Sequence, residues 1–299
     1  MPSPLQYERT AAFEDSPTGG VTSIAFSPTG VHLASAGLDC RVCIWRVADS
    51  SLAHNFAASS PILLLAWVPS HTDGMLVCGC QDGSIIALTT PTPQVLRGSN
   101  LPRTHSFPVE HLAVMGKRLV SGAHTELAIW QLSSADRWFH VIDLGIPPKN
   151  SYNEDLEVLA TSVHWTTSKR RRSLLLATYM HHGYVVYDAS NWSRVLAIPM
   201  NSLIANASIT PDGRKLAVSN MVSGFDIYDT DTGSSLGTLS HVIDRIYAVP
   251  ILFAHGGNAV IGGSTVGEID IWDVANLRKH QTLGLGGKLV RLPYPWRGS

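Results

Sequence analysis

His32-Leu33-Ala34-Ser35-Ala36-Gly37, followed by Val42-Cys43-Ile44-Trp45, decides how this chain folds. The same text returns as Met75-Leu76-Val77-Cys78-Gly79-Cys80, then as Arg118-Leu119-Val120-Ser121-Gly122-Ala123, and then as Leu174-Leu175-Leu176-Ala177-Thr178-Tyr179. Lys215-Leu216-Ala217-Val218-Ser219-Asn220 and Ala259-Val260-Ile261-Gly262-Gly263-Ser264 complete the set. The leading aliphatics Leu33, Leu76, Leu119, Leu175, Leu216 and Val260 stand 43, 43, 56, 41 and 44 residues apart. The residue closing the next apolar run is Trp45, Leu88, Trp130, Tyr187, Tyr228 or Trp272, at offsets of 12, 12, 11, 12, 12 and 12. Six copies sharing one internal offset mark a structural repeat.

Each copy reads as strands. Val42 and Ile44 alternate with Arg41, Cys43 and Trp45, and Ile269 and Ile271 alternate with Asp270 and Trp272. Period-2 alternation with β-branched and aromatic residues is strand text. Turn signals such as Ser27-Pro28-Thr29-Gly30, Asp82-Gly83 and Pro211-Asp212-Gly213 separate the runs. No helical period is sustained, so a parallel α/β sheet is excluded. A unit of about four short strands cannot bury both faces alone, and radial stacking solves this. The small residues Gly79, Gly122, Gly262 and Gly263 suit close approach of neighbouring units.

Composition narrows the function. Apolar residues make up 44% of the 299 residues and charged residues 15%, against about 25% charged in an average domain. Net charge is −1, which provides no basic field for a nucleic-acid backbone or an anionic membrane. The longest apolar run, 62–68, falls far short of the roughly 20 residues of a membrane helix. Pro2, Pro4 and Glu8 stand where a secretory signal would be apolar, so the expected setting is intracellular, cytoplasm or nucleus. Cys40, Cys43, Cys78 and Cys80 are then expected as packed thiols and not as disulfides or a zinc site.

The first copy, with Val21-Thr22-Ser23-Ile24-Ala25-Phe26-Ser27-Pro28-Thr29-Gly30 ahead of Leu33–Gly37, Asp39 and Trp45, resembles the WD-repeat family of β-propellers. The fifth copy repeats Ile209-Thr210-Pro211-Asp212-Gly213, and the sixth ends in the Trp272-Asp273 pair. The resemblance implies an all-β propeller of six recognisable repeats plus a partial seventh blade. It also implies a network joining a histidine, a strand-b Ser or Thr, a turn aspartate and the tryptophan. The positions matching that network are Ser35, Asp39 and Trp45, then Asp82, then His105, Ser121 and Trp130, and finally Trp272. Elsewhere the turn aspartate is replaced by His124 or Thr125, His181, Val222 and Val266, and His241 is the sixth copy's histidine.

The expected organisation is a frayed 1–5 and a single propeller over 6–299. Its repeats span about 6–47, 51–89, 94–132, 138–189, 193–230 and 234–275, with a remnant at 278–299. A blade in this family takes its fourth strand from the next repeat. Residues 278–283 would then finish blade six, and 7–13 would belong to a seventh blade whose other strands have only 284–299 to draw on.

The family's partner surface implies Leu38, Gln81, His124 (or Ala123), Met180, Met221 and Thr265, each just before the network-aspartate position. His181, Arg245 and Tyr152 join them as candidate anchors, Tyr152 lying within an insertion at 145–157. His181-His182 could also bind metal or sense pH, against a plain turn reading. Lys169, Arg170, Arg171 and Arg172 form a basic run that reads as a hairpin tip or a nuclear signal. No catalytic set, cofactor site or metal site is visible. The expectation is a non-catalytic scaffold for proteins or peptides in a larger complex, with no small-molecule ligand. A propeller hydrolase or lyase with channel acids and a divergent fragment of little function are the alternatives.

Overall fold

The computed structural model describes residues 20–69, 73–92, 95–167, 172–200, 202–240, 248–264 and 266–284, together with Tyr7 and Phe13. The expected seventh-blade segments 8–12 and 285–299 lie outside the described residues, as do Lys169, Arg170, Arg171, His241, Arg245 and Thr265. The fold is an all-β, six-bladed propeller, and among the described residues 24 strands form six four-stranded antiparallel sheets. The chain divides into two compact units, Met1–Leu144 and Gly145–Ser299, each with three blades.

In the first unit, blade 1 consists of β1 (Val21–Phe26), β2 (His32–Gly37), β3 (Arg41–Arg46) and β4 (Leu52–Ala57). Blade 2 holds β5 (Ile62–Trp67), β6 (Met75–Cys80), β7 (Ile85–Thr92) and β8 (Val95–Asn100). Blade 3 holds β9 (His111–Met115), β10 (Arg118–Ala123), β11 (Glu126–Leu132) and β12 (Trp138–Leu144). In the second unit, blade 4 holds β13 (Ala160–Thr167), β14 (Ser173–Tyr179), β15 (Gly183–Asp188) and β16 (Arg194–Ile198). Blade 5 holds β17 (Asn206–Ile209), β18 (Lys215–Ser219), β19 (Gly224–Asp229) and β20 (Ser235–Ser240). Blade 6 holds β21 (Ile251–Ala254), β22 (Ala259–Gly263), β23 (Glu268–Asp273) and β24 (Arg278–Gly284). The strands of each blade, a to d, pair in chain order. A single 3₁₀ turn, His255–Gly257, interrupts the strands among the described residues.

The constant offset now has a geometric cause. Leu33 pairs with Trp45, Leu76 with Leu88, Leu119 with Trp130, Leu175 with Tyr187, Leu216 with Tyr228 and Val260 with Trp272. The offset is therefore the register of the b–c hairpin, and it shortens to 11 in blade 3 because only His124 and Thr125 separate the paired Ala123 and Glu126. The core lies between blade faces. Ala34, Ala36, Val42 and Ile44 pack on Leu65, Leu76 and Cys78. Val77, Ile85 and Ala87 pack on Leu119 and Trp130. Leu176, Tyr184 and Val186 meet Ala207 and Leu216, while Phe225 and Ile227 meet Val260 and Trp272.

Close approach appears where glycine was expected to allow it. A Cβ on Gly262 would run into the Phe225 ring, which stacks edge-on against Trp272 at 5.4 Å. Cys43, Cys78 and Cys80 are buried free thiols, and burial pushes the Cys78 thiol well up and Cys80 up to about 11. Cys40 lies in the b–c turn and not in a strand, with φ of 64°.

Candidate functional site

The insertion at 145–157 is tied down on blade 4. The Tyr187 hydroxyl donates to the Gly145 carbonyl at 3.1 Å, and Arg194 Nη2 donates to the Ile146 carbonyl at 3.0 Å. Its tip closes on itself. Asn153 Oδ1 accepts the Asn150 N–H at 2.7 Å, Asn150 Oδ1 accepts the Tyr152 N–H at 2.9 Å, and Lys149 Nζ donates to the Glu154 carbonyl at 2.7 Å. Asn153 is buried, and its Nδ2 reaches the His181 carbonyl at 3.4 Å. The loop is thus fastened to the b–c turn of blade 4 by a side chain aimed inward.

Between that loop, the turn and the β16–β17 connection lies a depression of about 450 Å³. Its walls are Leu156, Met180, Pro199, Met200 and Leu203, with Asn150, Asn153, His181, Ser202 and Tyr152 as polar members. Tyr152 is 86% exposed and stands at its rim, whereas Met180 is buried. His182, read from sequence as a turn polar, is also buried, with the Asn153 backbone beside it. Burial, aided by the positive fields of His181 and Lys149, holds the His182 imidazole below its ordinary pKa. The insertion, distant in sequence, covers it.

A second arrangement of buried polar groups occupies blade 3. Trp130 Nε1 donates to Ser121 Oγ at 2.8 Å, and Ser121 Oγ lies 2.7 Å from His105 Nε2. His105 Nδ1 lies 2.8 Å from Glu126 Oε2, which also accepts the Ser106 N–H. Burial holds the His105 imidazole below its ordinary pKa despite Glu126. Burial raises Glu126, but its bonds from Ser106 and His105 outweigh this and leave it below the usual carboxylate range. A neutral His105 donating from Nδ1 then directs every proton one way: Trp130 to Ser121, Ser121 to His105, His105 to Glu126. The acid is Glu126, the first residue of β11, which the turn positions had missed. The shorter offset of blade 3 was the signal, since it moves the acid past the turn.

This arrangement matches the network that the WD-repeat resemblance implies, with a glutamate in place of the aspartate. A family model, the WD domain or G-beta repeat, matches residues 8–46. The chain is a six-bladed β-propeller whose first repeat matches the WD domain. Over 66 residues it is 32% identical to the Retinoblastoma-binding protein 5 homolog of Drosophila melanogaster, covering 22% of this chain and 14% of that protein. Over 71 residues it is 34% identical to the Ribosome biogenesis protein BOP1 homolog of Dictyostelium discoideum, covering 24% of this chain and 8% of that protein. Each match therefore spans a small fraction of its relative's length. WD-repeat propellers are typically protein-interaction scaffolds.

The remaining network residues of the propeller are placed differently. In blade 1, Trp45 Nε1 donates to Ser35 Oγ at 3.1 Å, while Asp39 Oδ1 accepts the Arg41 N–H at 3.2 Å. Asp82 accepts from the Ser84 N–H and hydroxyl, and its own N–H donates to Ser60 Oγ. Trp272 is buried under Lys279, whose Nζ lies 5.7 Å from the ring. Blades 5 and 6 place a buried aspartate on strand c instead. Thr238 Oγ1 donates to Asp226 at 2.7 Å, Thr282 Oγ1 donates to Asp270, and Lys279 Nζ donates to Asp270 at 2.7 Å. Among the described residues no three His, Cys, Asp or Glu side chains gather as a metal site, and no helix is long and apolar enough to cross a membrane.

Of the expected partner residues, Tyr152, Met180 and His181 come together around the depression. Met221 and Gln81 lie half-buried in their own b–c turns, Met221 beside the exposed Val222. His124 stacks on Phe107 with centroids 4.4 Å apart, and Leu38 is half-buried in the blade 1 turn. Met200, Leu203 and Leu156 had not been singled out, because a loop's packing partner has no local signature.

Proposed function

We propose that this propeller is a non-catalytic scaffold and that a partner protein seats an apolar side chain in the blade 4 depression. The observation that carries the reading is the convergence of Tyr152, Met180 and His181 on one concavity. Its volume of about 450 Å³ lies within the roughly 300–1,000 Å³ of ligand pockets. Two methionines in the wall adapt to more than one shape, and Tyr152 presents a large ring with little rotamer entropy to lose. Asn150, Ser202 and His181 would orient the partner backbone. The names of the two relatives, a binding protein and a biogenesis protein, are in keeping with work in complexes.

The acids support the non-catalytic reading. Asp188, Asp212, Asp229 and Asp273 accept hydrogen bonds from within their own turns, and Asp226 and Asp270 are matched to Thr238 and Thr282. The setting is intracellular, cytoplasm or nucleus, and nucleic acid is not the partner class. Quantitative affinity purification from cells tests the reading. At least one protein recovered with the unaltered chain should be lost with Tyr152→Ala/Met200→Glu. Identical recovery from a folded variant would exclude the depression.

A further inference from the structure

The loop that borders the blade 4 depression carries charge of one sign. Residues 145–157 hold Glu154, Asp155 and Glu157 against Lys149, a formal charge of −2. The other two borders, the turn at 180–182 and the connection at 199–205, hold no Asp, Glu, Lys or Arg. Glu154 and Asp155 are exposed, and they stand in sequence between Tyr152 and Leu156, which both line the depression. Among the described residues neither carboxylate is in an ion pair. Lys149 is turned to the Glu154 carbonyl, to which its Nζ donates at 2.7 Å. The rim therefore offers two adjacent exposed carboxylates, and a cation brought beside them would relieve their repulsion.

The wall opposite the loop points the same way. Ser202 Oγ lies 3.3 Å from the Tyr228 hydroxyl, and that hydroxyl donates to the Asp226 carboxylate at 3.5 Å. Asp226 is buried. Burial and the Asp226 charge raise the Tyr228 phenol above its ordinary pKa, so it keeps its proton. A carboxylate only accepts, and each hydroxyl has one proton to give. Tyr228 gives its proton to Asp226, and Ser202 gives its own to Tyr228. The Ser202 oxygen is left as an acceptor towards the depression, ready for an N–H of the occupant. The exposed Tyr152 ring at the rim adds a face on which a guanidinium or ammonium is attracted.

We propose that the occupant of the depression is a basic peptide segment, in which an apolar anchor is flanked by an arginine or lysine. The inference rests on the depression being the partner site, and it adds the partner's charge. The anchor fills the wall of Met180, Met200 and Leu203, and the cation lies at the rim beside Glu154, Asp155 and Tyr152. A phage-displayed library of random peptides, panned on the full chain, tests it. Peptides that bind the unaltered chain and are lost on Tyr152→Ala/Met200→Glu should carry an apolar residue next to Arg or Lys. In fluorescence anisotropy such a peptide should lose about tenfold in affinity on Glu154→Lys/Asp155→Lys and about threefold on Glu154→Gln/Asp155→Asn. Its binding should also weaken as salt is raised, because a rim ion pair is screened. With the peptide's Arg or Lys replaced by Gln, both charge variants should bind it as well as the unaltered chain does. The substitutions lie on an exposed loop and should leave the melting temperature within about 3 °C. Depression-dependent peptides with neutral or acidic flanks, or an affinity that neither charge variant changes, would overturn the inference and leave the depression as the partner site. Recovery of no peptide that depends on Tyr152 and Met200 would remove the depression, and the inference with it.

Discussion

Replacing Ser121 with alanine removes the middle link of the chain from Trp130 to Glu126. Ser121 is fully buried, as is Trp130, so water cannot take the vacated place. Two partners lose their bonds: the indole N–H at 2.8 Å and the imidazole nitrogen at 2.7 Å. Each buried polar group left unmatched costs about 1–3 kcal/mol, so Ser121→Ala should destabilise the fold by about 2–6 kcal/mol in total. Ser35→Ala is the internal comparison, since Ser35 holds Trp45 by one bond of 3.1 Å, and its cost should be about 1–2 kcal/mol. The assay is denaturant unfolding followed by tryptophan fluorescence. In a double-mutant cycle with His105→Phe, the two costs should fall well short of additivity, because either change breaks the same chain. A Ser121→Ala cost below about 0.5 kcal/mol, or one no larger than that of Ser35→Ala, would refute the directed network.

Four further outcomes are expected. His105 and Glu126 both titrate below their ordinary values of 6.5 and 4.5, so the unfolded chain binds their protons more readily. Their stabilisation is then full at neutral pH and is lost on acidification, His105 first; the melting temperature should fall from pH 7.5 to 5, and equal slopes in His105→Phe and the unaltered chain would contradict this. Gly262→Ala should cost about 1–3 kcal/mol by forcing a Cβ into the Phe225 ring, read from the urea midpoint, and a neutral substitution would deny the close approach. Lys279→Met leaves the Asp270 carboxylate, 3% exposed, with Thr282, and discounted for the exposed lysine it should lose about 1–2 kcal/mol; a melting curve unchanged in low salt would contradict this. Iodoacetamide on the native chain should reach Cys40 well before Cys78 and Cys80, whose thiols are buried and raised, and equal labelling rates by mass spectrometry would count against the packing.

What could be read from sequence was whatever is local. The leading aliphatic and the closing aromatic are direct cross-strand partners, so hairpin register is printed in their spacing. Gly262 and Gly79 could be read for the same reason, as small positions at a strand end. Glu126 escaped because a two-residue turn moves the acid into β11, and it is a glutamate where an aspartate was sought. His182 and Met180 were read as turn residues, and they are buried because the insertion at 145–157 folds back over the turn. That fold-back depends on Asn153, whose long-range bond to His181 leaves no periodic trace.

Affinity of a co-purified partner for the blade 4 depression tests the scaffold reading most directly. Titration calorimetry of that partner with the unaltered chain and with Tyr152→Ala/Met200→Glu supplies it. A lost hot spot is worth at least about 2 kcal/mol, so Kd should rise about 30-fold or more while the variant's melting curve stays cooperative. A Kd unchanged within about threefold would contradict the placement of the partner at Tyr152, Met180 and His181.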